Sequence, residues 1–172
     1  AVLREPGVFL PAVPGETMLR PSDAPGAKSA LGAAARLDVV FPIIHGRGGE
    51  DGSLQGLLEL ADVPYVGSGV LSSALQMDKD FAKRLLAGAG LPVTPWVGFS
   101  ASMLSRLGPR GAAEHAEAEL GLPAFAKPAN SGSSIGISRA DTLPELVSAI
   151  ALAQRYDRKV LVETAIDARE IE

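Results

Sequence analysis

Two rhythms of apolar residues run through this sequence, and where they alternate they mark out its elements. Leu37 to Ile44 (Leu-Asp-Val-Val-Phe-Pro-Ile-Ile) is a nearly continuous apolar run ending in a glycine-rich turn. That pattern predicts a buried parallel strand, with Pro42 confining its pairing to the first half. Leu54, Leu57, Leu58 and Ala61 then recur at helical spacing, Val63 to Val66 reads as a short strand, and Val70 to Met77 as a second helix. Asp78 is placed as the N-cap of a helix from Lys79 to about Ala87, with Phe81 and Leu85 on one face and Gly88 and Gly90 as the stop. Val93 to Phe99 reads as extended and Arg110 to Leu120 as a helix ending at Gly121. Ala124 to Lys127 and Ile135 to Ser138 read as strands around the polar turn Asn130 to Ser134. Thr142 and Glu145 match a capping box for a helix that turns Leu146, Ile150 and Ala153 inward, and Lys159 to Glu163 closes with a strand. Residues 1–36, rich in Pro, Gly and Ala, read as irregular, with only Gly7 to Leu10 and Thr17 to Leu19 strand-like.

Strands alternating with helices predict the α/β class, with a boundary near Gly90 to Pro95. Composition adds limits to that picture. Hydrophobic residues at 47% and charged residues at 21% suit a soluble chain able to bury a core and argue against disorder. A net charge of -4 supplies no basic field for nucleic acid. The absence of cysteine removes disulfides and thiolate chemistry and fits a reducing cytoplasm. There is no apolar run of about eighteen residues and no basic-then-apolar leader, so no membrane partner is expected. The start at Ala1 and the stop at Glu172 just after an apolar segment are read as the ends of a partial chain.

Three stretches carry candidate chemistry. The first, His45-Gly46-Arg47-Gly48-Gly49-Glu50-Asp51-Gly52, follows a predicted strand, where α/β sheets place their ligands. His45 is suited to donate a hydrogen bond to a developing oxyanion and Glu50 to orient a polar neighbour; a solvated strand-to-helix turn explains the same residues. The second stretch runs from Lys127 to Gly136 (Lys-Pro-Ala-Asn-Ser-Gly-Ser-Ser-Ile-Gly). Its small residues allow a nest of N–H groups around phosphate oxygens, and the lysine adds a point charge. It is neither a Gly-x-x-x-x-Gly-Lys loop nor a dinucleotide fingerprint, and many Ser/Gly hairpins bind nothing. Lys79, with Lys83 and Arg84, makes a local basic face; at the first turn of a helix its charge opposes the dipole by about a few tenths of a kcal/mol. The third stretch, Glu163 to Glu170, pairs two carboxylates in a form that suits nucleotide recognition or a surface turn, but too few ligands for a metal site.

Taken together and in this order, these stretches resemble the D-alanine–D-alanine ligases of the ATP-grasp superfamily. Phe41 to Gly56 matches that family's His-Gly-x-x-Gly-Glu-Asp-Gly signature followed by an apolar residue and Gln-Gly; Tyr65-Val66-Gly67, Met77-Asp78-Lys79, Ala89 to Val93, Lys127 to Gly136 and Val162 to Glu172 are also similar. The resemblance implies residues 1–92 as the end of a parallel-sheet N-terminal domain with connecting helices, and 93–172 as part of an ATP-grasp domain. It implies that Lys79 and Lys127 contact the ATP phosphates. The loop Ser131, Gly132, Ser133, Ser134 to Gly136 would close over them, with Ser133 also ordering the substrate side. Glu163 and the backbone of Ala165 and Ile166 would hold adenine, and Glu170 the ribose. His45 would lie beside a D-alanine carboxyl group and Glu50 in its supporting network. The implied chemistry is phosphorylation of one D-alanine by ATP with Mg²⁺, then attack by the amine of a second, giving the dipeptide used in peptidoglycan. Dimerisation is common in that family.

The family's opening Gly-Gly-x-Ser-x-Glu loop and its later lid loop and Mg²⁺ ligands have no counterpart in these residues. The activity is therefore expected of a parent enzyme rather than of this segment alone. A D-Ala–D-lactate or D-Ala–D-Ser ligase is the enzyme alternative, and a non-catalytic nucleotide-binding remnant is the alternative of another class.

Overall fold

The computed structural model describes residues 8–15, 17–21 and 35–169. Its contacts divide the chain into two units, Ala1–Ser73 and Ala74–Glu172. In the first, β1 (Val8–Phe9) and β2 (Met18–Pro21) fall at the two strand-like stretches and, with β3 (Ala35–Arg36), which was not expected, form a small antiparallel sheet. Helix α1 (Ser53–Leu60) follows the glycine-rich turn, with Gly52 at its N-cap in the left-handed region that glycine tolerates best. Leu58, Ala61 and Val63 are buried, and Leu10, Leu37, Val40, Leu54 and Tyr65 pack around them.

The buried parallel strand predicted for Leu37 to Ile44 is not built. It contracts to one parallel bridge, Val40 to Tyr65, made by Val40 N–H to Pro64 O and Val66 N–H to Val40 O, both 2.9 Å. The next rung of a parallel ladder needs an N–H at residue 42, where Pro42 has none. Val39, Phe41, Ile43 and Ile44 are accordingly more than half exposed. The strand expected at Val63 to Val66 is reduced to the same bridge. Helix α2 (Val70–Met77) matches its predicted limits.

In the second unit α3 (Lys79–Gly88) starts at Asp78, whose Oδ1 accepts the N–H groups of Asp80 and Phe81 at 3.1 Å each. The strands β4 (Trp96–Phe99), β5 (Ala124–Pro128), β6 (Ser138–Ala140) and β7 (Val160–Thr164) make an antiparallel sheet in the order β4-β7-β5-β6. On one face, α4 (Ala101–Leu120) and α5 (Leu143–Ala153) bury Leu104, Ala112, Ala113, Ala116, Leu146, Ala149, Ile150 and Ala153 against Phe99, Ala124, Ala126, Val160 and Val162. The alanines let the helices approach closely. Glu145 Oε2 accepts the N–H groups of Thr142 (3.2 Å) and Asp141 (2.8 Å), which is the glutamate half of the expected capping box.

Two boundaries differ from expectation. A helical segment not expected from the sequence precedes Arg110: α4 runs from Ala101, where Ser100 caps it through Met103 N–H, and non-helical Gly108 (φ 65°, ψ 172°) breaks it before the expected stretch from Arg110 to Leu120. Strand β6 starts at Ser138 rather than Ile135, because Ile135 and Ile137 donate into successive turns at Gly132 O and Ser134 O.

Candidate functional site

Strand alternation sorts the side chains of the sheet into two sets. In β5, Ala124, Ala126 and Pro128 are buried, while Phe125 and Lys127 lie on the face away from α4 and α5. Across the antiparallel register, Leu161 and Glu163 of β7 stand opposite Lys127 and Phe125, and Gly98 and Trp96 of β4 stand opposite Leu161 and Glu163. That second face therefore carries Lys127, Glu163 and Trp96 together. Helix α3 lies against it: a Cβ at Gly98 would stand 2.7 Å from Asp80 Oδ1, so glycine is needed for the helix to come this close.

Helix spacing then delivers α3's side chains. Lys79 and Lys83, four residues apart, fall on one face. Lys79 Nζ donates to Ser131 O (2.5 Å) and Ala129 O (3.4 Å), and its own N–H donates to Ala129 O at 3.0 Å. Burial, and then the nearby Lys127 charge, pull the Lys79 ammonium below the ordinary lysine value, and the Glu163, Asp157 and Asp78 charges offset part of this. Glu163, only 7% exposed, bonds Lys127 through Oε2 and pairs with Lys83 Nζ through Oε1 at 3.2 Å. Two lysines thus share one buried carboxylate.

A second set of charges fixes the frame. Asp80 accepts Trp96 Nε1 and Arg84 Nε, each at 3.0 Å. Burial opposes its charge, but those bonds and the Arg84 and Lys159 charges outweigh it and hold the carboxyl below the usual range. Lys159 Nζ reaches Asp78 Oδ2 (2.7 Å) and Asp80 Oδ2 (3.5 Å) and lies 4.0 Å from the centre of the Phe81 ring. Asp157 anchors the serine loop by accepting Asn130 N–H (2.6 Å) and Nδ2 (3.0 Å). Burial works against the Asp157 charge too, and the bonds from Asn130 and Lys159 overcome it and lower its carboxyl. These pins escaped the sequence reading, since a lone Asp or Lys before a strand carries no pattern; Lys83 was visible only as part of the local basic face with Lys79 and Arg84.

The loop itself is exposed at Gly132, Ser133 and Ser134. Ser133 and Ser134 both have positive φ (49° and 56°), and Gly136 (φ 74°) returns the chain so close to Tyr156 that a Cβ there would fall 2.6 Å from the ring. Left-handed backbone outside glycine is costly, and such residues cluster at active sites and ligand clamps. At the end of β7, Ala165 N–H is donated to Pro123 O (2.9 Å), Ile166 is exposed, and Glu170 lies outside the described residues.

His45 and Glu50 belong to the first unit. His45 is 90% exposed with Nδ1 3.8 Å from Glu50 Oε1, and Glu50 Oε2 accepts Gly46 N–H at 2.6 Å. Asp51 closes the turn by accepting Gly48 N–H (2.9 Å) and Ser53 N–H (3.0 Å), bonds that lower its carboxyl. Buried Gln55 donates to Gly49 O at 3.0 Å. Every one of these bonds spans six residues or fewer. Among the described residues no three His, Asp or Glu side chains come together as a metal site, and no helix is long and apolar enough to cross a membrane.

Lys79, Lys127, the serine loop and buried Glu163 thus lie together on one face of the sheet. Comparison with known proteins supplies the family. A family model described as D-ala D-ala ligase C-terminus matches residues 85–172, and one described as D-ala D-ala ligase N-terminus matches 16–68. The D-alanine--D-alanine ligase A of Chromobacterium violaceum is 52% identical over 170 residues, covering 99% of this chain and 44% of the relative. The D-alanine--D-alanine ligase of Mycobacterium tuberculosis is 51% identical over 164 residues, covering 95% and 41%. Among solved structures, D-alanyl-alanine synthetase A from Vibrio cholerae superposes with a TM-score of 0.78 at 30% identity, covering 94% of this chain and 44% of that one. The VanG D-Ala:D-Ser ligase from Enterococcus faecalis gives 0.78 at 37%, covering 95% and 43%. The chain spans less than half the length of the curated relatives it matches.

Proposed function

Because this chain belongs to the D-alanine–D-alanine ligase family, we propose that the whole protein joins two D-alanines at the expense of ATP for peptidoglycan synthesis. The observation that carries this reading is the meeting of Lys79, Lys127 and Glu163 on the α3 face of the sheet, beside the serine loop. Lys79 and Lys127 neutralise the ATP phosphates, and the loop from Ser131 through Gly132, Ser133 and Ser134 to Gly136 closes over them. Glu163 and the backbone of Ala165 and Ile166 receive adenine. Since Ala165 N–H is already donated to Pro123, the groups left for the base are its carbonyl and the backbone of Ile166. Glu170 takes the ribose. His45 holds a D-alanine carboxylate, oriented by Glu50, and Ser133 orders the substrate side. Residues 1–92 serve as the N-terminal domain with its connecting helices and 93–172 as the grasp domain.

In this scheme a D-alanine carboxylate attacks the γ-phosphorus and ADP leaves. The amine of the second D-alanine then adds to the acyl phosphate carbon, phosphate departs with the C–O bond pair, and the amine proton passes to solvent or a nearby base. The protein's contribution is charge neutralisation and positioning, without a covalent enzyme intermediate. Mg²⁺ would neutralise further phosphate charge, but the described residues offer no ligand set for it. We place the reaction in the cytoplasm, and dimerisation belongs to the same proposal. The similarity to VanG gives the D-Ala–D-Ser reaction a specific claim as the second reading. Supplying the full-length protein with ATP, Mg²⁺ and D-alanine, alone or with D-serine or D-lactate, decides among these. Stoichiometric phosphate and D-Ala–D-Ala support the proposal; dipeptide only with D-serine moves it to the second reading, and nucleotide binding with no product removes both.

A further inference from the structure

The two lysines on Glu163 are not equivalent. Lys83 Nζ is bonded to Thr94 O at 3.0 Å and paired with Glu163 Oε1 at 3.2 Å; it sits 5.4 Å from the Trp96 ring centre, and its side chain is 15% exposed. A backbone carbonyl, a carboxylate and an aromatic face hold it in place. Lys127 has none of that backbone anchorage: among the described residues its ammonium bonds only to Glu163 and stands 5.8 Å from the Phe125 ring centre. With the side chain of Lys127 23% exposed and that of Glu163 10% exposed, Lys127 has an outlet to solvent that the carboxylate lacks.

A ligand phosphate competes with Glu163 for Lys127. Once Lys127 turns to that phosphate, Glu163 is left as a buried carboxylate that has lost one of its two counter-ions, a loss that is severe when nothing replaces it. We propose that Lys83 is a positioning residue for nucleotide recognition: it is the permanent counter-ion that keeps Glu163 ionised and in place while Lys127 is exchanged to the phosphate, freeing Glu163 Oε2 as an acceptor. An ionised carboxylate accepts hydrogen bonds and donates none. A free Oε2 therefore welcomes the exocyclic amine of adenine and repels the carbonyl oxygen that guanine carries at the same position. Lys83 thereby sets base preference without touching the base. The inference rests on the nucleotide reading of the site above.

The test uses calorimetric titration of the full-length protein with ADP and with GDP. The variants are Lys83→Met, Lys83→Arg, Lys127→Met, Glu163→Gln and the double Lys83→Met/Glu163→Gln, each checked for a cooperative melt. Lys83→Met is expected to weaken ADP about tenfold while leaving GDP little changed, so that the preference for adenine collapses, and Lys83→Arg to restore it. Lys127→Met should weaken both nucleotides alike. In the Glu163→Gln background, Lys83→Met should add almost nothing, because its effect passes through that carboxylate. Equal loss for ADP and GDP in Lys83→Met, or a full further loss in the double variant, overturns the proposal for Lys83 while the nucleotide site stands. Failure of the parent protein to bind either nucleotide overturns both.

Discussion

The chain carries two glycine- and serine-rich turns, and the structure holds them in different ways. The His45–Gly52 turn is maintained by local bonds: Glu50 to Gly46, Asp51 to Gly48 and Ser53, Gln55 to Gly49. The Asn130–Gly136 loop is held by partners far away in sequence: Lys79 on Ser131 O, Asp157 on Asn130, Tyr156 against Gly136. Local bonding shapes a turn that then presents His45 to solvent. Long-range bonding fixes charged groups relative to one another, the kind of preorganisation on which electrostatic catalysis depends in active sites generally. A glycine-rich motif alone does not tell the two cases apart; what surrounds it does.

Substitutions can break that contrast. The largest effect is expected at Lys127: Lys127→Met should cut kcat/KM for ligation by the full-length protein about a thousandfold, with a native-like melt, as when a charge-stabilising donor is removed from an active site. Next comes Asp80→Ala, which leaves Trp96 Nε1, Arg84 and Lys159 facing a void on α3; urea denaturation should show a loss of about 3 kcal/mol. The sign with pH follows from its lowered carboxyl. Asp80 contributes its stability above the unfolded-state value and loses it as pH falls through the lower folded one, so the gap between wild type and Asp80→Asn should close in acid. A smaller effect is read in nucleotide titrations against pH. Phosphate favours charged Lys79, so ADP affinity should decline as pH rises, beginning below the ordinary lysine range, and Lys79→Arg should flatten the decline. Smallest is Glu50→Gln in the local turn, within about 0.5 kcal/mol in stability, with its effect confined to the KM for D-alanine.

The elements that carry the second unit could be read in the sequence where a single local rule was enough. Asp78 as N-cap, Thr142–Glu145 as capping box and the inward Leu146, Ile150 and Ala153 all follow from spacing within one or two turns. Lys127, Lys79 and Glu163 were visible as residue types at strand and helix ends; the β5–β7 register brought Lys127 to Glu163, and bonds to Ala129 O and Ser131 O brought Lys79 beside them. What escaped depends on distant chain. Ile135 and Ile137 look like strand residues until Gly136 must pack on Tyr156, 20 positions on. Gly108-Pro109 does interrupt α4, and what escaped was the segment before it, which Ser100 caps and buried Leu104 anchors. Gly98 looked incidental in an extended stretch and proves to be where α3 lies against the sheet.

Amide hydrogen exchange of the full-length protein with and without ADP compares the two turns in one experiment. Protection is expected at residues 131–137 and 163–166, with none at 46–52. Protection at 46–52 with residues 131–137 unchanged would move the phosphate site to the other turn and contradict the assignment of Lys79, Lys127 and Glu163.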